Sequence, residues 1–141
     1  MRAKIALIAL LALVGCAAVD IPKFDYVVQA KVTDLYQEMN EVEADCNLVK
    51  IPGVSDDAWN KAWHDMVWEE MLKVRQNYHW LETYIGYSEN TQMQDMWKGV
   101  GGVVEEVYLH PGSNPRACTN AVGDLRATFG AVLDVVGRRP K

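Results

Sequence analysis

The chain has 141 residues, of which 50% are hydrophobic and 23% are charged, and its formal net charge is −5. This length suits one domain, and the composition excludes collagen-like, Pro/Gly-rich and highly charged disordered chains. The acidic balance also disfavours a nucleic-acid partner, because phosphate contacts need Lys and Arg.

The N-terminus has the pattern of an export signal. Arg2 and Lys4 give a positive start, and an unbroken apolar run follows over residues 5–14. The run is shorter than the roughly 20 apolar residues of a membrane span and suits the apolar segment of a signal peptide. A buried N-terminal helix is the alternative, but the charged start and the small residues at 15–18 favour a signal peptide over residues 1–15.

Residues 13–16 (LVGC) resemble the lipobox of bacterial lipoproteins. In that family the signal is cut before the cysteine, which then carries a diacylglyceryl thioether and usually an N-acyl chain such as palmitate. The resemblance implies lipidation of Cys16. It also implies sorting to the periplasmic face of the outer membrane, because Ala17 is not the aspartate that retains many such proteins in the inner membrane. Acyl chains at about 0.8 kcal/mol per buried CH₂ form a permanent anchor, and residues 16–24 are then a short tether.

The first predicted helix extends from about Asp25 to Leu48. Its apolar residues recur in alternating steps of four and three, which is typical of a seam buried against other helices. The seam consists of Val28, Val32, Leu35, Met39, Val42, Cys46 and Val49. A Pro-Gly pair at 52–53 ends this helix.

Three further helices are predicted after this break. The second extends from Asp56 to about Ile85, with Ser55 as its N-cap. Ser88 is suited to cap a third helix that ends near Leu109. After the Pro- and Gly-rich segment 110–115, a fourth helix extends from Arg116 to Val136. Its seam has the same spacing as the first: Cys118, Val122, Leu125, Phe129, Val132 and Val136.

The cysteines indicate how these helices pack. If Cys16 carries lipid, Cys46 and Cys118 are the two cysteines that remain available for pairing. Export places them in an oxidising compartment, where a pair of cysteines usually forms a disulfide. Two free buried thiols are the alternative. A bond between the end of the first helix and the start of the fourth favours antiparallel packing of the two. The sequence thus predicts an all-α fold, a four-helix up-down bundle over residues 25–137 with one core disulfide.

Some residues interrupt the regular apolar pattern. Glu70 falls on the core face of the second helix, where an unpaired carboxylate would be partly buried with a raised pKa. The alternative is a side chain that extends to solvent or pairs with Lys or Arg. Glycines recur at 123, 130 and 137, which predicts a closely approaching helix, with a C-cap as the alternative at the last position. Glycines at 99, 101 and 102 predict a kink or a local opening in the third helix.

Patterns for catalysis and metal binding are absent from the sequence. His64, His79 and His110 lack the spacing that places two ligands on one helix face, and only the reverse of the Glu-x-x-His motif occurs, at 79–82. The sequence has no P-loop, dinucleotide fingerprint or Gly-x-Ser-x-Gly motif. We therefore expect no enzyme activity, metal, cofactor or small-molecule substrate. A bundle that carries a cofactor or an unrecognised active site is the alternative.

The second helix has Trp59 and Trp63 on its predicted core face, and it carries a second stripe on the opposite side, about 180° from Trp59. Its members are spaced by 4, 3 and 4 residues: Trp68, Leu72, Arg75 and His79. Trp and Arg are enriched at binding hot spots, and exposed apolar patches often mark interaction sites. These residues are therefore predicted to bind a partner. Alternatively, a neighbouring helix or the N-terminal segment near Phe24 and Tyr26 covers them.

The layout resembles that of type II secretion pilotins, which are small helical outer-membrane lipoproteins with one disulfide. The resembling parts are Cys46 at the end of the first helix, residues 54–58 (VSDDA) and residues 115–118 (PRAC). The resemblance implies an adaptor that binds a secretin subunit and carries it to the outer membrane. The second and third helices are longer than in that family, and the five tryptophans between residues 59 and 97 are not part of its pattern.

Other roles fit the same sequence features. A phage- or plasmid-encoded lipoprotein that blocks a surface receptor would share them, as would a structural lipoprotein without a dedicated partner. The basic ending of Arg138, Arg139 and Lys141 fits contact with anionic lipid or an acidic partner, or a solvated terminus.

Overall fold

The computed structural model describes residues 25–137, which form four α-helices and contain no strand. The helices are α1 (Tyr26–Cys46), α2 (Asp56–Gly86), α3 (Thr91–Leu109) and α4 (Pro115–Val136). The predicted all-α fold is confirmed, and each helix lies within a few residues of its predicted position. The predicted signal peptide, Cys16, the rest of the tether and the basic ending lie outside the described residues.

Each helix begins at a side chain that accepts hydrogen bonds from its first turn, which satisfies N–H groups that have no partner within the helix. These N-caps are Asp25, Ser55, Asn90 and Asn114. The prediction that Ser88 caps the third helix is wrong. The Ser88 hydroxyl instead donates to the carbonyl oxygen of Ile85 at 2.6 Å and so helps to end α2.

The helices pack as a ring of four around one core, as predicted for an up-down bundle. Helix α1 packs against α2 and α4, and α3 packs against the same two helices. Within residues 25–137 no Cα atoms of the diagonal pairs α1–α3 and α2–α4 lie within 8 Å of each other. The predicted seams of α1 and α4 are buried, except that the prediction is wrong for Val49, which follows the end of α1 and is 85% exposed. The largest fully buried side chains of this core are Trp97, Tyr78, Phe129, Leu35, Met39 and Met71.

The predicted disulfide joins Cys46 and Cys118, whose Cα atoms are 5.6 Å apart. Beside it, the indole N–H of Trp63 donates to the carbonyl oxygens of Asp45 at 3.1 Å and Cys46 at 3.3 Å. These bonds satisfy carbonyl groups at the end of α1 that have no partner within the helix. This part of the bundle, where α1 and α3 end and α2 and α4 begin, is the disulfide end.

The opposite part is the N-terminal end, where α1 and α3 begin and α2 and α4 finish. There the hydroxyl of Tyr84 donates to Oδ2 of Asp25 at 3.2 Å, which joins the start of α1 to the last turn of α2. Gly137 lies beside α1, because a Cβ at this position would be 3.7 Å from Nε2 of Gln29.

The glycines of α3 and α4 only partly fulfil the predictions made for them. A Cβ on Gly130 would be 3.4 Å from the ring of Tyr36 on α1, so a helix does approach there. Gly123 has nothing within 4 Å, so the predicted close approach is wrong at that position. Gly137 is the C-cap of α4. Helix α3 is continuous across its three glycines.

Candidate functional site

The predicted partner-binding residues lie along the edge of α2 that borders α3. The ring of Trp68 is 5.7 Å from the ring of Tyr108 on α3. The Arg75 guanidinium lies over the same Tyr108 ring, at 4.8 Å from its centre, and pairs with Glu105. We refer to this part of the molecule as the α2–α3 surface; it comprises Trp68, Leu72, Arg75, His79, Glu105 and Tyr108.

Helix α3 covers the predicted partner-binding residues of α2 only in part. Trp68 remains 40% exposed, Leu72 is half-buried and His79 is exposed. The start of α1 does not cover them, because Asp25 is bound to Tyr84, and Trp68 lies about 24 Å from Tyr84 at 1.5 Å per residue along α2. The stripe is thus neither a core seam nor a free helix face.

The polar half of the α2–α3 surface is satisfied within the chain. Glu105 accepts a hydrogen bond from Nε of Arg75 at 2.7 Å and lies 3.2 Å from Nε2 of His79. The hydrogen bond from Arg75 is the main cause that lowers the pKa of Glu105, and the contact with His79 acts in the same direction. The α2–α3 surface therefore has a charged half, in which Arg75, His79 and Glu105 contact one another, beside an apolar half formed by Trp68, Leu72 and Tyr108.

A concave region lies between α1 and α2. It is an open cleft of about 260 Å³ lined by Lys31, Asp34, Gln37, Glu38, Glu41 and Asn77. Oε1 of Glu38 accepts from the Asn77 amide at 2.7 Å, whereas Oε2 is buried and has no hydrogen-bond partner among the described residues. Burial raises the pKa of Glu38, and the carboxylates of Asp34, Glu41 and Glu70 act in the same direction.

The sequence did not single out Glu38. Its only signal is its place in α1 beside the seam residue Met39, at a position that becomes half-buried when α2 packs alongside. Glu70, which the sequence did single out, forms an ion pair with Lys73 at 2.7 Å. This is the paired alternative that was expected for a carboxylate on that face.

The described residues offer no ready-made metal centre and no membrane span. Between positions 25 and 137, no group of three or more His, Cys, Asp or Glu side chains is arranged to hold a metal ion. No helix in that range combines the length and apolarity needed to cross a bilayer. Comparison with protein-family models, curated proteins and solved structures finds no match. The function must therefore be inferred from the chain's own surfaces and sequence signals.

Proposed function

We propose that this protein is an outer-membrane lipoprotein, anchored on the periplasmic face through acyl chains on Cys16, that binds another envelope protein through the α2–α3 surface. It acts as a non-enzymatic adaptor of the pilotin kind. The membrane part of the proposal rests on the lipobox-like residues 13–16. The binding part rests on one observation, the 40% exposure of Trp68 beside the ring of Tyr108.

The surroundings of Trp68 favour binding over simple exposure. A large aromatic side chain contributes much apolar contact area and loses little conformational freedom when a neighbouring ring already holds it. Leu72 and Tyr108 extend the apolar area, and the Arg75–Glu105 pair borders it. An apolar centre with a polar rim is the usual composition of a protein interface.

The partner that fits best is an amphipathic helix. Such a helix can place its apolar side chains against Trp68 and Tyr108, along the edge where α2 and α3 meet. The resemblance to pilotins points to a secretin subunit as the source of this helix. The partner's polar face would then lie toward Arg75 and Glu105.

The test is a photo-crosslink from two matched positions on α2. A benzophenone amino acid replaces Trp68 in one variant and Trp80, which is 49% exposed and contacts α1 through Lys31, in the other. After irradiation of intact cells, position 68 is expected to crosslink to one envelope protein, and position 80 is not. Leu72→Ala in the first variant is expected to remove that product.

The identity of the product decides between roles. A secretin subunit supports the pilotin role, whereas a surface receptor supports the blocking role. Crosslinks from position 68 that stay within the chain, or that match those from position 80, contradict binding at the α2–α3 surface. Cys16→Ser in the same experiment shows whether the complex depends on the anchor.

A further inference from the structure

Exposed aromatic side chains gather at the N-terminal end of the bundle. Tyr26, Trp80 and Tyr87 are 69%, 49% and 88% exposed, and they lie around the start of α1 and the end of α2. At the disulfide end the large exposed hydrophobic residues are aliphatic: Leu48, Val49, Ile51 and Leu109. Among the exposed apolar residues of the N-terminal end, Val27 (38% exposed) is aliphatic and the others are aromatic, so the two ends differ in the kind of apolar surface that they mainly present.

Contacts with neighbouring side chains hold the rings of Trp80 and Tyr84 in place. The ring of Trp80 stacks on that of Tyr84, with centres 5.7 Å apart and planes 8° from parallel. The Nζ atom of Lys31 lies 5.2 Å from the centre of the Trp80 ring. The Tyr84 hydroxyl is bound to Asp25. We name the group Tyr26, Trp80, Tyr84 and Tyr87 the aromatic end.

The chain outside the described residues indicates what the aromatic end faces. Cys16 is nine residues before Asp25, a reach of at most about 30 Å at 3.3 Å per residue. Helix α2 alone is about 46 Å long, so the tether is shorter than the bundle. Helix α4 also finishes at this end, so Arg138, Arg139 and Lys141 continue the chain from there.

We propose that the aromatic end rests in the headgroup layer of a phospholipid bilayer and fixes the orientation of the bundle. This inference rests on the proposed anchor at Cys16. Trp and Tyr favour the membrane–water interface because their rings are apolar and their N–H and O–H groups remain hydrated. Basic residues such as those that continue the chain after α4 are attracted to anionic headgroups. In this orientation the disulfide end points away from the membrane, and the α2–α3 surface stands accessible above the lipid.

The test anchors the protein chemically, so that it does not depend on acylation in cells. The chain from Cys16 onward contains all four helices and one free thiol, because Cys46 and Cys118 are bonded to each other. That thiol is coupled to maleimide-phosphatidylethanolamine in vesicles of phosphatidylethanolamine and phosphatidylglycerol. Tryptophan fluorescence is then compared between vesicles with ordinary acyl chains and vesicles with acyl chains brominated near the headgroup.

Brominated lipid is expected to quench the fluorescence of the coupled protein. Trp80→Phe is expected to lose most of this quenching, and the matched variant Trp68→Phe is expected to keep it. Tyr87→Ser, which removes an almost fully exposed ring without touching the core, is expected to weaken it. Absence of quenching, or equal loss in Trp80→Phe and Trp68→Phe, overturns the inference. A dimer in solution that Trp80→Phe dissociates overturns it in favour of contact with a second copy.

Failure of the anchor gives a different result. Incorporation of labelled palmitate in cells, lost in Cys16→Ser, supports the anchor whatever the vesicles show. If the protein incorporates palmitate in cells but its Trp80 fluorescence is not quenched in the vesicles, the anchor stands and only the contact of the aromatic end with lipid is overturned. Quenching in the coupled vesicles without palmitate labelling supports lipid affinity at the aromatic end and overturns the anchor.

Discussion

Tyr78 on α2 occupies the space that a side chain at Gly101 on α3 would need. A Cβ on Gly101 would overlap the Tyr78 hydroxyl oxygen and lie 3.1 Å from Cζ. The hydroxyl donates to the carbonyl oxygen of Trp97 at 2.9 Å, and the two rings stack with centres 5.0 Å apart. Burial raises the pKa of Tyr78, so the hydroxyl remains a neutral donor. The glycine thus leaves room for this buried hydrogen bond between α2 and α3.

Gly101→Ala is expected to lower the free energy of unfolding by about 1–3 kcal/mol, the usual cost of overpacking a core. Gly102→Ala is its matched control, because a Cβ there meets nothing within 4 Å. Since alanine has a helix propensity roughly 1 kcal/mol better than glycine, this control is expected to be as stable as the parent or more stable. Urea unfolding followed by circular dichroism measures both.

A second substitution tests the cause of the loss. Adding Tyr78→Phe to Gly101→Ala removes the atom in conflict and is expected to recover part of the lost stability. Equal unfolding midpoints for Gly101→Ala and Gly102→Ala would show that α3 shifts freely and that the Tyr78 contact does not restrict it.

Loss of the disulfide is expected to lower stability strongly. Cys46 and Cys118 are 72 positions apart, and closing a loop of this length is worth about 4 kcal/mol in the chain-entropy model. The double substitution Cys46→Ala/Cys118→Ala is therefore expected to unfold at a much lower urea concentration. Reduction of the parent protein with dithiothreitol should give a similar fall, and an unchanged midpoint after reduction would contradict a structural bond.

Glu38→Gln is expected to raise the urea midpoint near pH 7. Burial raises the pKa of Glu38, so the folded state favours the neutral acid. Its stabilising contribution is present below the unfolded pKa, about 4.3, and is lost as the pH rises through the raised folded value. Glutamine keeps the acceptor for Asn77 without the charge. The gain should shrink toward pH 4, and a gain that is equal at both pH values would exclude the carboxylate charge as its cause.

Glu105→Gln is expected to have the opposite effect. The hydrogen bond from Arg75 lowers the pKa of Glu105, so its contribution is present above the unfolded value of about 4.3. It is lost as the pH falls through the lowered folded pKa. The variant should therefore unfold at lower urea than the parent near pH 7, and the two should converge in acid. A difference that persists in acid would point to packing instead of charge.

Much of the fold could be predicted because the first and last helices have strictly spaced seams. Steps of four and three from Val28 to Cys46 and from Cys118 to Val136 leave only one face that can be buried. The two cysteines on those seams then set the pairing and direction of the helices. Which of two nearby residues caps a helix was harder to predict. Ser88 and Asn90 are both suitable N-caps for α3, but the hydroxyl of Ser88 donates to the end of α2 and Asn90 is the cap.

Of the candidate site, only the residues that lie on α2 could be predicted from the sequence. Spacing placed Trp68, Leu72, Arg75 and His79 on one edge of α2. How far α3 covers that edge depends on the rotation of α3 and the register between the helices, which the periodicity of α2 does not contain. The Arg75–Glu105 pair and the buried oxygen of Glu38 arise from such contacts between helices. Gly101 was identified only as a weak point of α3, because its partner Tyr78 lies on another helix.

The Cys46–Cys118 bond also determines how the molecule carries mechanical load. If tension acts between the N-terminus and the C-terminus, the covalent path leads through α1, across the sulfur atoms and along α4. Residues 47–117 form a closed loop outside that path. Helices α2 and α3, which carry the candidate binding surface, are therefore not stretched end to end and can keep their shape while the flanking helices are pulled.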